Sequence, residues 1–261
     1  MGTYTDAARG GALDSSEIDQ VIDRLGEILD WSWESESRIG YFAAMYRRVT
    51  EAVKEAIEAG EFEDAERMTR LDVVFANRYI EAVEQHREGR RPTEAWAVSF
   101  QASTRPRLLI VQQLLTGINA HINLDLGIAA ATVAPGDELM TLRDDFDTIN
   151  AVLGRLVEAF VGEVEQVSPW IRFLGRIGGR SERIVIKFSI DRARDEAWDV
   201  AKRLASEPQP EWPRIIDDRD RVVAKFGRFL QRPGTFLPIG LLIIRLRETN
   251  DVRRVIDGLS E

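Results

Sequence analysis

Asn119, His121, Asn123 and Asp125 fall within seven residues of an otherwise apolar run that extends from Leu108 to Val133. Amides, an imidazole and a carboxylate are the groups that hold divalent cations or move protons. Burying one such group without a partner costs roughly 1–3 kcal/mol, and a lone charge costs more. Four of them in a short apolar stretch therefore call for either a chemical role or a network that satisfies them. His121 and Asp125 are four residues apart, one helical turn, on a stripe that Ile118 and Ile128 continue in both directions. Asn119 and Asn123 form a second pair on the neighbouring face, extended backwards by Gln112 and Thr116.

Other carboxylates could join them. Asp72 shares a stripe with Met68, Phe75, Tyr79 and Val83, so it stands among expected core residues, and Asn77 and Arg78 follow it. Asp145 borders the apolar face begun by Phe146 and Ile149. Arg194, upstream of Trp198, is a candidate partner for a buried carboxylate. Together, His121, Asp125, Asp72 and Asp145 would make an N/O donor set. Such a set suits one divalent zinc, manganese or iron ion and could activate water or polarise an ester or phosphoester.

Without a metal, Asp125 or Asp72 could orient His121 as a general base, with Asn119 beside it. That chemistry fits a cyclase, lyase or isomerase of specialised metabolism acting on a largely apolar small molecule. A non-catalytic binding protein is the third reading, because a histidine and a carboxylate one turn apart can satisfy each other and asparagines can pair with backbone.

The elements that must position these groups read as helices throughout. Period-3.6 stripes are expected from Ser15/Ser16 to Trp31, Glu36 to Ala59, Phe62 to Arg87, Pro92 through Phe100, Pro106 to the residues before Pro135, and Glu138 to Val167. The last of these carries Phe160 and Val164 on its stripe. A short segment opens at Pro169 and closes at Gly178-Gly179. Helices from Ser181 to Leu204 and Pro213 to Leu230 follow, then a stretch broken by Pro and Gly from Arg232 to Gly240, the apolar Leu241–Leu246, and a short helix around Asn250–Leu259. The expected fold is all-α: a single bundle-like domain over residues 15–261 with a C-terminal helical extension. Residues 1–14 are expected to be a flexible N-terminus, and the Pro-rich stretch 206–213 is the one candidate for a minor boundary. No period of 20–50 residues repeats, which argues against a solenoid.

Composition narrows the chemistry. The 261-residue chain has a formal net charge of -9 and no cysteine. The absence of thiols removes disulfides, iron–sulfur clusters, zinc-thiolate sites and cysteine nucleophiles. The negative balance speaks against a general nucleic-acid surface. No apolar run reaches the ~18 residues of a membrane span, and the first sixteen residues lack the pattern of a signal peptide. A cytoplasmic protein with a small-molecule substrate is expected, and the sequence leaves its oligomeric state open. His86 sits among charged residues and reads as solvated. No phosphate loop or nucleophile elbow is present.

Several stretches resemble the helical, mainly actinobacterial family DUF5995: Tyr41-Phe-Ala-Ala-Met-Tyr-Arg-Arg-Val-Thr50, Arg70-Leu-Asp-Val-Val-Phe-Ala-Asn-Arg-Tyr79, Gly117-Ile-Asn-Ala-His-Ile-Asn-Leu-Asp-Leu-Gly-Ile128, Asp145-Phe-Asp-Thr-Ile-Asn150, Ile244-Arg-Leu-Arg247 and Val252–Ile256. The resemblance covers nearly the whole chain and implies no established activity. The family pattern has a histidine where this chain has Gln113, so the resemblance does not make that position a metal ligand here. Locally, His121-Ile-Asn-Leu-Asp125 is similar to the His-x-x-x-Asp helix of the zinc-dependent phospholipase C and nuclease group. The three-zinc cluster of that group needs more histidines than the two present.

Overall fold

A computed structural model describes residues 16–167, 181–232 and 249–260. The described residues are helical with no strand. The elements are α1 (Ser16–Glu34), α2 (Ile39–Glu58), α3 (Ala65–Arg87), α4 (Glu94–Ser103), α5 (Ile110–Ala120), α6 (Gly127–Val133), α7 (Arg143–Val167), α8 (Ser181–Ala205), α9 (Trp212–Leu230) and α10 (Val252–Ser260). The expected all-α, bundle-like fold is the fold observed. The expected flexible N-terminus, the segment from Pro169 to Gly179 and the stretches Arg232–Gly240 and Leu241–Leu246 lie outside the described residues, apart from Arg232. So do the Phe160 and Val164 side chains.

The helix expected to run unbroken from Pro106 to Val133 is three pieces. A π-helix, His121–Leu126, joins α5 to α6 without a bend into a loop. A π turn closes i→i+5 hydrogen bonds and holds one more residue than an α turn, so it swings the side chains on either side out of register. The helix expected from Glu138 instead begins as a 3₁₀ segment, Gly136–Leu142, and becomes α only at Arg143.

Two glycines let this segmented helix sit deep in the bundle. A Cβ on Gly117 would come within 2.7 Å of the Phe42 ring on α2, and one on Gly127 within 2.5 Å of the Ala197 carbonyl oxygen on α8. Around it, α2 and α3 pack on one side and α8 and α9 on the other. The core runs through Leu25, Tyr41, Met68, Tyr79, Trp96, Leu124 and Phe146, all nearly inaccessible.

Helix α10, expected as an extension, packs back onto α2 and α7 and buries Val252, Val255, Ile256 and Leu259. The Pro-rich stretch near 208 is a short turn with a 3₁₀ segment, Gln209–Glu211. It joins α8, which packs on α6, to α9, which packs on α4 and α5.

Candidate functional site

Both carboxylate oxygens of Asp125 are engaged. It is 1% exposed; one carboxylate oxygen accepts from Arg78 Nε at 2.7 Å and the other from Trp96 Nε1 at 2.7 Å. Burial alone would push its pKa up, but the Arg78 guanidinium, helped by His121 and the indole N–H, holds it below the ordinary carboxylate value. Asp125 is therefore a buried, paired anion.

His121 lies one turn before it, with Nδ1 3.7 Å from Asp125 Oδ2. That distance is too long for a hydrogen bond, and neither ring nitrogen has another polar partner among the described residues. The imidazole instead sits in an aromatic box. It stacks on Phe75 at 3.6 Å between centroids and 10° between planes, meets Tyr46 edge-on at 4.2 Å and stands 5.6 Å from Phe42. Burial lowers its pKa, with Asp125 opposing and Arg78 adding to the drop, so the ring is neutral near pH 7.

These aromatic groups wall one end of a cavity of about 120 Å³ between α2, α3, the π-helix, α7 and α8. Its lining is mostly apolar, including Met45, Val49, Leu71, Ile118, Leu126 and Leu153, interrupted by Tyr46, Asp72, His121 and Arg194. At about 120 Å³ the space is somewhat smaller than the ~150 Å³ apolar cavity that takes benzene, a size suited to a small ring or a short chain.

Asp72 reaches the cavity from α3. It is 7% exposed, its Oδ2 has no partner among the described residues, and burial raises its pKa to about 7. Burial, with Asp72 the next largest cause, also pushes the Tyr46 hydroxyl well above its usual value. The fold thus brings together His121, Asp125 and Asp72, as the sequence suggested, and adds Arg78, Trp96, Tyr46 and Phe75.

Asn119 and Asp145 are not members of this group. Asn119 faces α9, where its Nδ2 donates to the Val223 carbonyl and its Oδ1 accepts from Asn123 Nδ2. Arg219 of α9 donates to the Asn123 carbonyl oxygen at 2.7 Å, supplying a partner within the π-helix. The asparagine pair therefore fastens the π-helix to α9.

Asp145 receives the backbone N–H groups of Glu63 and Asp64 and the guanidinium of Arg67, at 2.7, 3.1 and 2.9 Å. Its full set of partners ties α7 to the start of α3 and leaves nothing for a metal. Among the described residues Arg194 pairs with no carboxylate either; its Nη2 donates to the Phe146 carbonyl oxygen.

The expected four-residue metal set is consequently not assembled. Asp125 has both oxygens engaged by Arg78 and Trp96, and Asp145 is committed elsewhere. His121 and Asp72 remain, fewer than the three protein ligands of a catalytic zinc site. Among the described residues, no group of three or more His, Cys, Asp or Glu side chains is arranged to hold a metal ion.

His86 is exposed at the end of α3, against Phe100, as its charged neighbours suggested. No described helix is long and apolar enough to cross a membrane.

The missed residues had partial signals. Arg78 lies six positions after Asp72 on α3 and Trp96 in a short apolar helix, but only their packing shows that both turn onto Asp125. Compared with known proteins, residues 18–233 match the model of a family described as a family of unknown function, DUF5995. No curated protein and no solved structure matches the chain.

Proposed function

The chain belongs to DUF5995, a family whose description carries no activity, and we propose from the site itself that the protein is a metal-independent acid–base enzyme for a largely apolar small molecule. The observation that carries this reading is that His121 and Asp72 line one apolar cavity, with both imidazole nitrogens and Asp72 Oδ2 lacking a hydrogen-bond partner among the described residues.

Each has the protonation state its role needs. Asp125, kept ionised by Arg78, stands beside Nδ1 and favours the tautomer with its proton there. Nε2 is then left as the base, and the Asp125 charge steadies the imidazolium once Nε2 takes a proton from the substrate. Asp72, with a value near 7, carries a proton in about half of the molecules at neutral pH and delivers it to a second substrate atom. The imidazolium then returns its proton to the Asp72 carboxylate, so the site resets with no net gain or loss. Such an exchange performs an isomerisation, a cyclisation or an elimination. The mostly apolar lining lowers the local dielectric, which strengthens both proton transfers.

A metal-assisted ester or phosphoester hydrolase is the weaker reading, because two free donors are too few. A non-catalytic binding protein would use the same cavity and is separated by turnover.

The test is untargeted mass spectrometry of a fractionated pool of apolar small molecules incubated with the full chain. Conversion of a component to an isomer, or to a product lighter by its leaving group, is expected. His121→Gln and Asp72→Asn should each slow it by ~10²–10⁴-fold. No conversion by the wild-type chain, or equal conversion by both variants, would overturn the proposal.

A further inference from the structure

Arg194 is the remaining polar group of the cavity, and its surroundings do not explain it. The residue is 3% exposed. Its Nη2 donates to the Phe146 carbonyl oxygen and its guanidinium lies 4.3 Å above the Phe146 ring. Its Nε is buried with no partner among the described residues. No carboxylate stands within ion-pair distance of it there, although Asp147, Asp191 and Asp195 exert a weaker pull and Arg143 opposes them. Arg143 itself takes up Asp147 at 2.7 Å and lies 3.8 Å from Asp195. Burial pushes Arg194 down to about 10, so it remains a cation at neutral pH. A buried cation without a direct counter-ion is expensive, and the usual compensation is an anion with hydrogen-bonding oxygens.

Arg194 lines the same cavity as His121 and Asp72, entering from α8 where they come from the π-helix and α3, and apart from Tyr46 the rest of the lining is apolar.

We infer that the cavity binds an amphipathic monoanion, an apolar ring or short chain ending in a carboxylate, with Arg194 as the anchor for the carboxylate and the apolar part directed towards His121 and Asp72. One unpaired guanidinium balances one negative charge, and its planar fork fits a carboxylate. A phosphate monoester would bring close to two charges against one. The inference specifies the substrate class for the acid–base reading and rests on it for the direction of the bound molecule. The anchor itself is a binding property that can be measured without turnover.

The experiment is calorimetric titration of the full chain with octanoate, octan-1-ol and octyl phosphate, with thermal melts alongside. Octanoate should bind the wild-type chain ~10-fold or more tighter than octan-1-ol, the scale of one charge-assisted contact, and tighter than octyl phosphate. Arg194→Gln should erase the preference for octanoate and leave octan-1-ol binding unchanged. Arg194→Lys should retain part of it, since charge survives without the fork. Octanoate should raise the melting temperature of the wild-type chain and not that of Arg194→Gln. Equal binding of octanoate and octan-1-ol, stronger binding of octyl phosphate, no binding of any probe, or a preference for octanoate that persists in Arg194→Gln would overturn the inference. Octanoate selectivity that depends on Arg194, together with full turnover by the His121 and Asp72 variants, would sink the catalytic reading and keep the anchor. The reverse pattern would do the opposite.

Discussion

Asp72 and Asp125 are the same residue type at similar depth, and their surroundings send them in opposite directions. Arg78 and the Trp96 N–H keep Asp125 charged, whereas burial alone lifts Asp72 to about 7. The consequence for stability follows from proton linkage. The unfolded chain releases the Asp72 proton near pH 4 and the folded chain only near pH 7, so between these values the folded state holds more protons. The contribution of Asp72 to stability is thus fully present below about pH 4 and is lost as pH rises through about 7, a change of a few kcal/mol. His121 has the opposite trend: its lowered value makes the folded state lose stability as pH falls below the ordinary histidine range. Asp72→Asn isolates the first term. Urea unfolding of wild type and variant across pH 4–8 should give a difference curve that rises in favour of the variant towards pH 8. A flat difference would show that Asp72 ionises normally in the folded chain.

At the scale of elements, two carboxylates fasten helices by the ends of their neighbours. Asp145 of α7 collects the N–H groups that precede α3, and Asp220 of α9 accepts from Glu94 and Ala95 at the start of α4, at 2.6 and 2.8 Å. Unpaired N–H groups and the helix dipole favour an anion at such a position. Asp145 adds the Arg67 ion pair, so its removal also takes the nearer carboxylate from a part-buried guanidinium that keeps only Thr141 and a longer contact to Asp64. Asp145→Ala should cost about 3–5 kcal/mol, and Asp220→Ala about 1–2 kcal/mol, in denaturant unfolding at pH 7. Comparable losses at the two positions would contradict this assignment.

Most of the elements were legible, because stripes such as that from Met68 through Asp72 to Val83 repeat cleanly. The position of the polar cluster was legible for the same reason, as polar side chains interrupt an apolar stripe. The π-helix was not, since a widened turn has no side-chain pattern of its own. The partners also could not be read: Arg78, Trp96 and Arg219 come to the segment from 47, 29 and 96 residues away. Asp145 was misread because an acid near a helix start suits a metal and a helix end equally well.

At the scale of the molecule, α10 joins the end of the described chain to its beginning. Leu259 is fully buried, and Ile256 fills the space that a side chain at Gly40 of α2 would need. Helix α2 also carries Phe42 and Tyr46, so the last helix braces a wall of the cavity. Leu259→Ala should therefore lower the unfolding free energy by about 2–5 kcal/mol in a single cooperative transition. A change within about 0.5 kcal/mol would mean that α10 behaves as an appendage.

The widened turn at His121–Leu126 has a hereditary side. It differs from an ordinary α turn by one residue, which in a gene is a single codon. Losing that codon between 122 and 124 would close the turn into regular α geometry while the segments on either side kept nearly their present faces, because the widened turn absorbs its extra residue locally. The change would fall on the turn itself, where the spacing of His121 and Asp125 would shorten from four residues to three. A single in-frame deletion would therefore rewrite the chemistry of this pocket and leave the packing of the bundle in place.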